Sequence, residues 1–118
     1  MSTIRTMTEM AKAVMLDMGL LDATEDPVAQ DREYIIGIYE DLMAEMRDER
    51  LIYWPDNAIP KEDFQAVVKF MSLNVGSGFG IPMATGRAFE QELDYAKRRL
   101  RRRVVKESSG LDTHSADF

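Results

Sequence analysis

From Pro27 to about Arg50 the apolar residues Val28, Ile35, Ile38, Leu42 and Met46 recur at steps of three, four and seven. A stripe of that period can be buried only if the segment is an α-helix. Tyr34, Tyr39 and Met43 widen the stripe, while Glu40, Asp41, Glu45, Asp48 and Glu49 give the opposite face one sign of charge. Asp26 before Pro27 is a strong start signal, a cap residue followed by proline at the first helical position. At about 1.5 Å per residue such a helix reaches roughly 35 Å, the length of a small domain. A chain of 118 residues has room for one domain, so the rest must pack along this rod.

The flanking segments carry the same period. Thr6 and Glu9 have capping-box spacing, and Met7, Met10, Ala11, Val14, Met15 and Met18 line one side of a first helix that Gly19 stops. Leu20 and Leu21 then tuck the chain back, and Asp22–Asp26 form a polar turn. Ile59 and Pro60 open a third helix with Glu62 and Asp63 in its first turn and Phe64, Val67, Val68, Met71 and Val75 as its stripe. That helix ends either at Val75 or at Phe79, with Gly80 as its cap, and Pro82 forbids continuation. Thr85 or Gly86 begins a fourth, with Phe89, Leu93, Ala96, Leu100 and Val104 as a narrow seam. The expectation is an all-α protein, a small four-helix bundle over residues 1–106, followed by a flexible tail, residues 107–118, too polar to order itself. The nine methionines read as gap-fillers of the core.

Between the second and third helices, Leu51, Ile52, Tyr53 and Trp54 form an apolar elbow ended by Pro55. Two readings stand: a plug for the core, or a partly exposed anchor in which Tyr53 and Trp54 meet a neighbouring subunit.

Little points to catalysis or to a cofactor. With no cysteine there is neither a thiol nucleophile nor a cysteine-ligated metal. The single histidine, His114, stands with Ser108 and Asp112 in the polar tail, which offers no rigid scaffold for a triad. Glu45 and Glu49 are spaced to share a helix face, but nothing marks either as desolvated, so a solvated face outranks a carboxylate hydrolase or a divalent-metal site. Gly76–Gly80 lacks the preceding strand and directly following helix of a phosphate-cradling loop. No run is apolar enough to span a membrane and residues 1–10 lack signal-peptide order, so folding in the cytoplasm of the producing cell is expected.

Charge is the informative property. The net −6 divides into 18 acidic against 8 basic groups in residues 1–95 and 7 basic against 3 acidic in residues 96–118. The basic groups are Lys97, Arg98, Arg99, Arg101, Arg102, Arg103 and Lys106, with like charges repeatedly four apart, each such pair unfavourable by a few tenths of a kcal/mol. A solvated helix end, an acidic protein surface and nucleic-acid phosphates are the three readings of this cluster. The last would make the chain a small helical nucleic-acid-binding module, although no aromatics interleave the cluster for base stacking.

Several stretches in order, MGLLDATEDP, DERLIYWPDNAIP, GFGIP and LRRRVVKESSG, resemble the head-to-tail adaptor (connector) proteins of tailed bacteriophages, over about residues 5–110. The resemblance implies a non-enzymatic virion protein of the head–tail junction. It would bind the phage portal protein as a ring of copies, typically twelve, extend the DNA channel and offer a platform to the next tail protein. It implies that Lys97–Lys106 and the tail dock onto the portal or a neighbouring copy. The acidic face, Glu40, Asp41, Glu45, Asp48 and Glu49, would line a channel that double-stranded DNA passes without sticking. Gly76, Gly78 and Gly80 depart from the pattern by loosening the third helix.

Overall fold

The computed structural model describes residues 3–81 and 87–100. It is an all-α bundle of four helices with one two-stranded sheet at an edge. In chain order the elements are β1 (Ile4–Arg5), α1 (Met7–Asp17), α2 (Ala29–Asp48), β2 (Ile59–Pro60) and α3 (Lys61–Val75). A 3₁₀ turn (Gly76–Phe79) and α4 (residues 87–100) follow.

The start of α1 is the reciprocal box expected of Thr6 and Glu9. The Thr6 hydroxyl accepts from the Glu9 amide at 3.1 Å, and the Glu9 carboxylate accepts from the Thr6 amide at 3.0 Å. At its other end Gly19 adopts φ +75°, which lets the Leu20 amide reach back to the Met15 carbonyl at 2.9 Å. Leu20 remains 36% exposed, so only Leu21 of the pair turns toward the core.

The second helix begins two residues later than Asp26-Pro27 implies. Val28 is the cap residue, with no side-chain hydrogen bond, and Pro27 is buried ahead of the helix. The Asp26 carboxylate is drawn instead to the Lys12 ammonium, 3.1 Å away on α1. The buried stripe of α2 is also rotated from the expected one. Ile35, Tyr39, Met43 and Met46 are buried, Ile38 and Leu42 half-buried, and Val28 and Tyr34 exposed. Polar partners for a buried Tyr39 hydroxyl in the following elbow make this orientation favourable. The helix closes with Arg50 in the left-handed region at φ 61°, where the Leu51 amide donates to the Met46 carbonyl at 2.7 Å.

Ile59 and Pro60 form a strand rather than the opening of α3. Ile4 faces Pro60 and Arg5 faces Ile59 in an antiparallel pair, and the Lys61 amide extends the ladder to the Thr3 carbonyl at 3.0 Å. Proline is tolerated here because a two-residue edge pair does not need its missing N–H. Pro60 then serves as the cap residue of α3.

That helix is the centre of the molecule. Beyond the expected stripe it buries Asp63, Ala66, Phe70, Ser72 and Leu73, so it is covered on nearly every side. Five methionines, Met10, Met15, Met43, Met46 and Met71, pack in this core with Trp54 and Tyr39. The α-helix ends at Val75, and a 3₁₀ turn carries the chain to Gly80, whose φ of +74° permits the closing bond from the Ile81 amide to the Gly76 carbonyl at 3.0 Å. Gly78 lies close against α2: a Cβ there would meet the Tyr34 hydroxyl, so the Tyr34 side chain would have to shift. The Tyr34 ring meets Phe79 edge-on at 5.5 Å. The glycines thus seat this turn against α2. On α4, Ala96 and Leu100 are buried and Phe89 and Leu93 half-buried, as the seam implied. The expected start of α4 at Thr85 or Gly86, the stop at Pro82, Val104 and the tail 107–118 lie outside the described residues.

Candidate functional site

The elbow, residues 51–58, is held to α2 by four hydrogen bonds that involve side chains. Trp54 Nε1 donates to the Tyr39 hydroxyl at 3.3 Å, and that hydroxyl donates to the Asp56 carbonyl at 3.0 Å. Arg47 donates to the Trp54 carbonyl at 2.8 Å and to the Asp56 carboxylate at 2.7 Å. Burial is the main reason the Tyr39 hydroxyl is pushed up to about 12. The Asp56 charge adds to the rise, while the Trp54 hydrogen bond and Arg47 oppose it. Trp54 is 2% exposed, so the reading of Trp54 as a subunit anchor is corrected: its indole finds both apolar packing and an acceptor inside the chain. Tyr53 is 50% exposed, with its ring edge-on to Trp54 at 5.4 Å.

All five acidic residues singled out on α2, Glu40, Asp41, Glu45, Asp48 and Glu49, are exposed. The ion pairs among the described residues are Lys12–Asp26 and Arg47–Asp56, so none of the five is neutralised by a cation there. Asp41, Glu45 and Glu49 follow one another at four-residue steps, where like charges repel along a helix. Asp48 and Glu49 also stand at the negative end of the helix dipole, which favours cations. This face therefore works against the stability of its own helix, and its charge projects into solvent. Among the described residues, no three His, Cys, Asp or Glu gather closely enough to hold a metal ion.

The basic cluster is described only in part. Arg98 and Arg99 are exposed and Lys97 half-buried on the last described turn of α4, while Arg101, Arg102, Arg103 and Lys106 lie outside the described residues. No family model, curated protein or solved structure matches the chain.

A further feature was not singled out from sequence. Between α3 and α4 runs a half-open groove of about 600 Å³, with Ala66, Val68, Leu73, Ala88 and Ala96 among its apolar lining. Gln65, Lys69, Gln91, Glu92 and Arg99 supply polar groups to it, and Asp17 of α1 also borders it. Tyr95, 57% exposed, stands in the lining too. The available signal was Tyr95 itself, an aromatic off the buried seam of a largely polar helix.

Proposed function

We propose that the chain is a structural head-to-tail adaptor of a tailed bacteriophage, which binds the portal vertex as a ring of copies, extends the DNA channel and provides a platform for tail attachment. The observation that carries this reading is the exposed acidic face of α2, Glu40, Asp41, Glu45, Asp48 and Glu49, which no cation among the described residues neutralises. Its charge is unfavourable for the helix alone, and it suits a wall past which a polyanion must slide, because such a wall offers phosphates no counter-ion to exchange. The four-helix architecture and the resemblance of the sequence landmarks support the same role. No helix among the described residues is long and apolar enough to cross a membrane.

In this reading the basic cluster Lys97–Lys106 docks onto the portal or onto a neighbouring copy, and Tyr53 is an exposed contact of the ring. Mixing the protein with its cognate portal and weighing the product by native mass spectrometry tests the proposal. The expected product is a portal carrying a closed ring of adaptor copies. A portal that emerges with no bound adaptor at micromolar concentrations and physiological salt overturns it.

A further inference from the structure

Helix α4 leaves one side uncovered. Ala88, Glu92, Tyr95 and Arg99 are all exposed and all border the α3–α4 groove. They follow one another at steps of four, three and four residues, so they share one face of the helix. No aromatic ring among the described residues is more exposed than that of Tyr95, at 57%. The groove wall carries two acids, Asp17 and Glu92, and two bases, Lys69 and Arg99. None of the four is in an ion pair among the described residues. A surface of balanced sign sets carboxylates against a bound anion and cations against a bound cation. A second copy of the same surface can answer each charge with its opposite.

The register on α4 meets that condition. Let two α4 helices pack face to face and antiparallel, with a two-fold axis passing at Tyr95. At about 1.5 Å of rise per residue, Glu92 of one copy lies about 4.5 Å to one side of the axis and Arg99 of the other about 6 Å to the same side. At about 100° per residue, Glu92 and Arg99 are turned about 60° and 40° from Tyr95 in the same sense. An antiparallel two-fold axis keeps that lateral side common to both helices. Each Glu92 therefore stands nearly level with the Arg99 of the other copy, and this happens twice. A parallel pair sets Glu92 against Glu92 and Arg99 against Arg99, which like-charge repulsion disfavours.

We propose that α4 is a self-pairing surface. Two copies of the chain associate through an antiparallel, two-fold α4–α4 contact, with the Tyr95 rings packed together at the axis and two reciprocal Glu92–Arg99 ion pairs beside them. The contact draws on residues that border the groove in both copies. It uses none of the acidic residues of α2 and stands independently of the adaptor reading. From Ala88 to Arg99 it is roughly 17 Å long, which makes it a small interface with a dissociation constant on the order of 100 µM.

Sedimentation equilibrium of the full chain, from about 10 µM to about 1 mM, reads the association. The native chain is expected to reach a dimer and no larger species. Glu92→Arg and Arg99→Glu are each expected to weaken it at least about tenfold, because each sets like charges together at both pairs. An equimolar mixture of the two variants is expected to recover dimers within about threefold of the native strength, since every pair then joins opposite charges again. That recovery also shows that both variants are folded. A native chain that stays monomeric throughout overturns the proposal, as does a mixture that associates no better than either variant alone. The chain has no cysteine, which allows a second measurement. Tyr95→Cys is expected to form a disulfide-linked dimer at least about tenfold faster than Glu40→Cys, whose site is exposed on α2. Equal rates overturn the pairing.

Discussion

Helices α2 and α3 are both amphipathic by sequence, yet they sit differently in the molecule. Ten of the fifteen residues of α3 are buried, against four of the twenty residues of α2. The shorter helix is a central post that α1, α2 and the β-pair pack around. The longer one touches the core along a single strip and turns a charged face outward. A helix enclosed like α3 is constrained almost everywhere by packing. A helix seated like α2 leaves most of its positions free of that constraint, and on this protein those positions hold repelling carboxylates. The division separates residues that make the fold from residues available for a partner.

The comparison breaks first at the core. Phe70→Ala on α3 and Trp54→Ala in the elbow each remove a side chain that is nearly inaccessible, at 1% and 2% exposure. Each is expected to lose about 3–5 kcal/mol of unfolding free energy in urea titrations. A loss below about 1 kcal/mol at Phe70 would mean that α3 is not the central post.

The next largest effect is alkaline. The Tyr39 hydroxyl is raised from 10.0 to about 12 in the folded chain. Its contribution is therefore fully present below pH 10 and is lost as pH rises toward 12, because the unfolded state releases the proton first. Stability should fall by about 1.4 kcal/mol per pH unit from this group across that window. Tyr39→Phe should remove this component of the slope, and an unchanged slope would place the strain elsewhere.

Smaller effects test the outer side of α2. A methyl group added at Gly37 meets nothing within 4 Å. Gly37→Ala should therefore stabilise the isolated chain by about 0.5–1 kcal/mol through helix propensity. If the same change weakens ring assembly on the portal, another copy presses against that position. Smallest of all, Glu→Gln or Asp→Asn at Glu40, Asp41, Glu45, Asp48 and Glu49 together should leave the thermal midpoint unchanged or slightly raised. A clear drop would show that the face supports the fold.

The elements most legible in the sequence are those whose cause is local. The Thr6–Glu9 box, the stop at Gly19, the Gly80 cap and the described part of the α4 seam, Phe89 to Leu100, each depend on local spacing, and each stands where the pattern put it. The acidic face was legible for the same reason: helical period alone determines which carboxylates share a side. The basic cluster was legible as composition, and only Lys97, Arg98 and Arg99 of it fall among the described residues.

What the tertiary structure decided is how many sides of each helix are covered and which distant group answers a buried polar atom. Period marks a stripe on α3, but its enclosure comes from elements on either side of it in the chain. Ile59 and Pro60 read as a helix start until Ile4 and Arg5 arrive as their strand partners. Trp54 reads as an anchor or a plug until Tyr39 offers its indole an acceptor fifteen residues away. The α3–α4 groove belongs to no single segment, since it exists only in the space the two helices leave between them. Local steric and hydrogen-bond preferences act along the chain and are written in it directly. Burial is a sum over neighbours that only the folded chain brings together.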